Sequence, residues 1–342
     1  MLSKPSWNSY DSRFIEVLSA LCPDPILCGR LYKIFNSVAA NWMTSCIKKE
    51  RPFKSGITIR SSPVEISIAF SPQGNPVWRF LAQPGIQRKS ALQTLDYSRE
   101  ICLSLVEQIC GYAPYKNVAQ LIDDLLPLIC PKFEPKFIFL IGAQVGDGLP
   151  CTLKLYFNAW LFSNSVGTAI ARILHTAGID PICLRTLWHL NQHLPLGRYF
   201  INGIGIDVTG DYISPKVYLV LPSFGLRDMD MGIQNIISDR MALVLREILQ
   251  RSNKQGQLHM SLRFPRSEKQ SSIITVFPMA TDFFSSDIEA MDVAEDACQP
   301  TGKVKSILTN LRHYLSSDTM NNCSRITFIG FSASKCSIYI EP

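Results

Sequence analysis

The chain has 342 residues, enough for one large domain or two of ordinary size, and its 46% apolar content supplies a core and excludes disorder. The net charge of +6 is mild, and the basic run Lys48-Lys49 with Arg51 is too short for a nucleic-acid stripe. No apolar run approaches the roughly 20 residues of a membrane span, so neither nucleic acid nor membrane is an expected partner.

Residues 1–25 read as an N-terminal arm or a short helix, with no signal-peptide core in Met1 to Asp11. Leu27 to Lys48 has helical length, with Leu31, Ile34, Phe35, Val38 and Trp42 at helical spacing. A hairpin follows: Ile57 to Phe70, the turn residues Pro72-Gln73-Gly74-Asn75, then Val77 to Gln83. Residues 90–130 carry two helices broken near Gly111-Tyr112-Ala113-Pro114. A second hairpin joins Lys136–Val145 to Cys151–Asn158 through Gly146-Asp147-Gly148. Ser163–Ala177 and Leu184–Leu194 predict helices. A third hairpin joins Tyr199–Val208 to Ser214–Leu221 through Gly210-Asp211, and Asp228–Leu249 predicts one long helix. A fourth pairs Gln257–Phe264 with Ser272–Phe277 across a charged loop; residues 282–317 hold helix and loop. A fifth, Arg325–Phe331 with Cys336–Glu341, follows. Hairpin and helix alternate about every 65 residues, an architectural repeat. Eleven cysteines, an odd number without C-x-x-C pairs, read as reduced thiols filling the core of a cytoplasmic protein.

Each strand has a greasy face and a polar one. Ile66, Ile68 and Phe70 oppose Glu65, Ser67 and Ala69; Trp78 and Phe80 oppose Arg79. Leu153, Leu155 and Phe157 oppose Lys154 and Tyr156; Leu258, Met260 and Leu262 oppose His259, Ser261 and Arg263. Lys154/Tyr156, Lys216/Tyr218 and Lys335/Tyr339 each place a lysine and a tyrosine on one face of a different strand. Helices need the greasy faces, and closing the sheet removes its edges. The expectation is therefore an α+β fold: an antiparallel β-barrel of about ten strands with a solvent-filled lumen, ringed by outer α-helices. It would form one domain over 1–342. About eight strands are just filled by side chains, so this barrel would hold a ligand cavity. An open sheet with its polar face in water also fits the pattern, but leaves the tyrosines and cations of that face unexplained.

The inward candidates are Glu65, Arg79, Lys154, Tyr156, Lys216, Tyr218, His259, Arg263, Lys335 and Tyr339. Cations outnumber the one deep carboxylate, so the ligand is expected to bring anions. A diphosphate fits lysine, arginine and tyrosine hydroxyls. Tyrosine faces stabilise a carbocation, which suits ionisation of an allylic diphosphate, with Glu65 as base or as acceptor for an N–H of the nucleophile.

These residues resemble the aromatic prenyltransferases with the ABBA (PT) barrel, in particular the dimethylallyltryptophan synthase type. Val64-Glu65-Ile66-Ser67 with Val77-Trp78-Arg79-Phe80 is similar to that family's first hairpin. Lys154-Leu155-Tyr156-Phe157 resembles its Lys-x-Tyr strand; Ser214-Pro215-Lys216-Val217-Tyr218 resembles its Arg-x-Lys-x-Tyr strand, with Ser214 in place of the arginine. Tyr339 matches the closing tyrosine. In Ile274-Thr275-Val276-Phe277-Pro278 the family commonly has Gln-x-Tyr-Phe-Pro, so Ile274 and Val276 read as two lost polar groups, either replaced by His259, Arg263 or Lys335 or leaving a greasier cavity for a larger or less polar acceptor. The length is closer to the bacterial and cyanobacterial branch, including indole-alkaloid enzymes of the hapalindole/ambiguine kind.

The resemblance implies an aromatic (indole) prenyltransferase of secondary metabolism. Its partners would be an allylic diphosphate, dimethylallyl or geranyl, and an indole acceptor alkylated at carbon. Glu65 would accept from the indole N–H. Arg79, Lys154 and Lys216, with Arg263, His259 and Lys335, would hold the diphosphate. Tyr156, Tyr218 and Tyr339 would shield the cation. No cofactor and no metal site are required on this reading, magnesium entering only as the diphosphate's counter-ion. Prenylation of a phenol or of a peptide Tyr or Trp, and a non-catalytic small-molecule-binding barrel, are the alternatives. Other motifs carry less. His189 and His193 at helical spacing read as helix surface, and Asp123-Asp124 lacks the third acid of a D-D-x-x-D motif. Gly203-Ile204-Gly205 lies inside a strand and is no dinucleotide fingerprint.

Overall fold

The computed structural model describes residues 8–46, 64–71, 74–84, 91–130, 139–180, 187, 192, 199–210, 212–230, 232–265, 273–317 and 325–341. The basic run at Lys48, Lys49 and Arg51 lies outside them, as do His189, His193 and, but for Leu187 and Gln192, the helix expected over 184–194.

The alternating segments form hairpins: β1 (Val64–Phe70) with β2 (Val77–Ala82), and β3 (Phe139–Gly146) with β4 (Thr152–Asn158). Next come β5 (Phe200–Thr209) with β6 (Tyr212–Phe224), β7 (Gly256–Arg263) with β8 (Ile273–Pro278), and β9 (Ile326–Ser332) with β10 (Cys336–Ile340). Every neighbour is antiparallel, and β10 pairs back onto β1 with Ile66 opposite Ile340, closing a ten-stranded barrel. Hairpin turns therefore share one rim, and the helical connections gather at the other.

The helices are α1 (Asn8–Leu21), α2 (Pro25–Cys46), α3 (Ala91–Cys110), α4 (Tyr112–Leu125), α5 (Val166–Thr176), α6 (Leu226–Asp230), α7 (Asp239–Ser252), α8 (Ala280–Phe283), α9 (Asp287–Cys298) and α10 (Gly302–Ser317). They pack on the outward strand faces. Phe14 of α1 stacks on Phe35 of α2 at 3.7 Å between centroids, and both meet the edge of Phe80 on β2. Trp78 is fully buried, and its indole N–H donates to the carbonyl of Leu21 at 2.8 Å. Ile66, Ile68, Leu153, Leu155, Val217 and Ile338 are likewise unexposed. Each such side chain contributes about 2 kcal/mol, so the outer layer holds the barrel closed and leaves the lumen free for polar groups. Among the described residues no helix is long and apolar enough to cross a membrane.

Two helix expectations change. The span Asp228–Leu249 is not one helix: α6, a 3₁₀ turn at Ile233–Asn235 and α7 divide it. Gly232 sits at φ 149°, which ends the helical path, and the Ser238 side chain caps α7 by accepting from the Met241 N–H. The helix expected from Ser163 starts at Val166, after a 3₁₀ segment in which Ser163 itself has φ 46°. Asp123 pairs with Arg99 at 2.7 Å and Asp124 accepts from Gln120 at 2.9 Å, both on the exposed side of α4.

Candidate active site

The lumen holds a cavity of about 250 Å³ toward the hairpin-turn rim. Arg79, Lys154, Tyr156, Lys216, Tyr218, Arg263, Lys335 and Tyr339 all line it. Eight of the ten inward candidates thus come from β2, β4, β6, β7 and the β9–β10 hairpin to one space.

The cations surround a carboxylate. Lys154 Nζ donates to Asp207 Oδ1 at 3.0 Å, Arg263 donates to Asp207 Oδ2 at 2.8 Å, and Lys216 Nζ bonds the same Oδ2. Lys154, Lys216 and Asp207 are buried. Burial alone would raise the Asp207 carboxyl, but Lys154, Lys216 and Arg263 outweigh it and hold the acid well below the usual range. Burial lowers both lysines, against the pull of Asp207. Arg79 stands across the lumen, with no carboxylate partner among the described residues. It donates to Ser337 Oγ at 2.8 Å and lies 5.6 Å from the centre of the Tyr339 ring, while its Nε is buried without a partner. Lys335 is exposed at the rim. One acid among these cations leaves the cavity cationic.

Tyrosines form the next layer. Tyr156 and Tyr218 lie 5.4 Å apart with their hydroxyls hydrogen-bonded, and burial raises both, so both stay phenols at neutral pH. Tyr339 meets Phe277 at 5.6 Å and Phe328 at 6.4 Å. Glycines make room for the rings. A Cβ on Gly205 of β5 would lie 2.8 Å from Tyr218 Cε2 and 3.3 Å from the Tyr156 ring; one on Gly330 would lie 2.9 Å from Phe277. The Gly203-Ile204-Gly205 run therefore has a steric use. Gly205→Ala is expected to push the Tyr218 ring aside at a cost of about 1–3 kcal/mol, read by urea unfolding. Unchanged stability would mean that the ring has room to spare.

Glu65 sits at the opposite, helical rim and is not among the cavity-lining residues. It is buried and accepts from the Thr327 hydroxyl at 2.8 Å. Burial pushes its carboxyl up to about 8; the Thr327 bond opposes this, Glu341 adds to it and Arg79 opposes it. His259 is also away from the cations. Its ring lies 4.8 Å from Phe328, and burial pushes it down to about 4, so it is neutral at pH 7 and cannot replace a lost cation. The Ile274/Val276 reading is corrected as well. Val276 packs in the outer core opposite Met260, and the cavity-lining members of β8 are Ile273, Thr275 and Phe277. The residue missed in sequence is Asp207. Its signal was parity, since Gly203, Gly205 and Asp207 alternate with the buried Ile204, Ile206 and Val208.

No family model matches the chain, and no curated protein does. Solved structures share the fold. A 6-dimethylallyl tryptophan synthase superposes with a TM-score of 0.77 at 16% identity, over 97% of this chain and 95% of that one. The 5-dimethylallyl tryptophan synthase from Streptomyces coelicolor, solved in complex with DMASPP and Trp, gives 0.78 at 15% identity over 98% and 95%. AnaPT from Neosartorya fischeri gives 0.68 at 12% identity over 99% and 95%. The barrel is the ABBA prenyltransferase fold.

Proposed function

We propose that this protein is an aromatic prenyltransferase that moves an allylic group, dimethylallyl or geranyl, from its diphosphate to a carbon of an indole. The observation that carries this reading is one cavity in which a cationic cluster adjoins a wall of tyrosines. Structures of the same fold were solved with DMASPP and Trp, which supports a diphosphate donor and an indole acceptor.

On this reading the allylic C–O bond breaks and the diphosphate takes the electron pair, held by Arg79, Lys154, Lys216, Arg263 and Lys335. Tyr156, Tyr218 and Tyr339 face the cation. An indole carbon attacks, Glu65 accepting from the N–H, and the ring proton passes to the released diphosphate as aromaticity returns. Protein cations alone would balance the leaving group, without a metal. An indole alkaloid of the cyanobacterial kind is the finer acceptor reading. Glu65 is recessed from this cavity, whose lining does not include it, so an indole bonded to Glu65 extends beyond the cavity toward the helical rim. That recess favours, as a second reading, an acceptor without an N–H: a phenol, free or in a peptide.

The test is mass spectrometry of the protein with dimethylallyl or geranyl diphosphate and a panel of indoles and phenols, with and without magnesium. A prenyl-sized gain on an indole is the expected result, and activity in EDTA the expected metal independence. Gain on phenols alone would select the second reading. No gain, with diphosphate bound, would leave a binding barrel.

A further inference from the structure

Asp207 holds both its oxygens against three cations. The geometry is specific. Lys154 is opposite Asp207 in the β4–β5 register, Lys216 lies on β6 opposite Gly205, and Arg263 is opposite Lys216 on β7. Ser214, directly opposite Asp207 on β6, brings no charge. The titratable and charged groups around Asp207 are Lys154 and Tyr156 of β4, Lys216 and Tyr218 of β6, and Arg263 of β7, with Arg79 of β2 and Tyr339 of β10 across the lumen. No second carboxylate serves these three cations among the described residues. Without Asp207 the three cations would stand beside one another, two of them, Lys154 and Lys216, buried, and a buried unpaired lysine sheds its proton or swings away.

We propose that Asp207 is the lumen's internal counter-anion: a positioning residue that keeps Lys154, Lys216 and Arg263 charged and converged while the cavity is empty, and shares them with the diphosphate when it is filled. The inference rests on the prenyl-transfer reading and adds to it a reason why the site is assembled before its ligand arrives. Of the influences that sustain the lysines against burial, Asp207 is the largest. One carboxylate suffices to hold three cations and is too little to neutralise them, so attraction for an anion survives.

The test is calorimetric binding of inorganic pyrophosphate to the wild type, Asp207→Asn and Asp207→Glu between about pH 6 and pH 9. The ratio of variant to wild-type Kd cancels the ligand's own titration. For Asp207→Asn this ratio is expected to rise about tenfold across the range, because its lysines lose their protons sooner. For Asp207→Glu, which keeps the charge, the ratio is expected to stay flat. A flat ratio for Asp207→Asn, with the wild type binding, would overturn the inference and leave the functional reading intact. A wild type that binds no pyrophosphate at any pH would overturn both. If Asp207→Asn does not fold, Asp207→Asn/Lys154→Met restores the net charge, and its ratio to Lys154→Met is expected to rise in the same way; a flat ratio there overturns the inference.

Discussion

Lys216→Met is expected to cut prenyl transfer by about 10³-fold while leaving a folded barrel. Lys216 is buried in the cavity wall, where a cation is worth far more to a departing diphosphate than at a wet surface. Methionine replaces the stem without the charge. Asp207 keeps Lys154 and Arg263, so the variant does not strand a buried carboxylate, which would cost about 3–5 kcal/mol. The measurements are single-turnover transfer with saturating acceptor and a thermal melt in parallel. Turnover within about threefold of wild type would remove Lys216 from the leaving-group site.

Glu65→Gln is expected to act in two separable ways. In the wild type the carboxyl ionises near 8, so the form that best accepts an indole N–H grows as pH rises through that value. Transfer should climb toward a plateau above it. The glutamine variant should be flat with pH and lower at the plateau by about 10²-fold or more. A wild-type profile that is flat, or a variant that keeps the rise, would place the acceptor's N–H elsewhere. Stability runs the other way. Burial raises the folded carboxyl from 4.5 to about 8, so the contribution of Glu65 to stability is fully present below 4.5 and is lost as pH rises through 8. Glutamine can still accept from Thr327 and carries no charge to bury. The variant should therefore match the wild type near pH 5 and exceed it by a few kcal/mol near pH 9, in urea titrations at both values. An equal difference at both pH values would deny that Glu65 is a strained buried acid.

The strands were legible because burial on one face writes a period of two. Ile66/Ile68, Leu153/Leu155 and Ile338/Ile340 mark the outer layer, and their neighbours mark the lumen. Closure was legible only as an argument about edges, since the β1–β10 pairing leaves no local mark. The break at Gly232 was hidden by the apolar spacing on either side of it. Asp207 was missed for a physical reason. Its strand companions on the lumen face are glycines, so β5 shows no polar pattern, and only the neighbouring lysines reveal what the carboxylate meets. Ile274 and Val276 failed through a one-residue slip, which in a strand exchanges one face for the other. Depth along the barrel is invisible to periodicity, and so Glu65, His259 and Lys154 looked alike until the register separated two rims.

The β1–β10 seam has a consequence for how the chain is made. Each hairpin is local and can zip as it leaves the ribosome, but the seam joins strands with almost the whole described chain between them. Without β10 the sheet would be an open ribbon with β1 as a bare edge, and bare strand edges are prone to pairing with another molecule. In such an open ribbon the lumen face that bears Lys154, Lys216 and Asp207 would be open to water. The β1–β10 pairing, on the strand that carries Tyr339, encloses them and makes the ribbon a vessel.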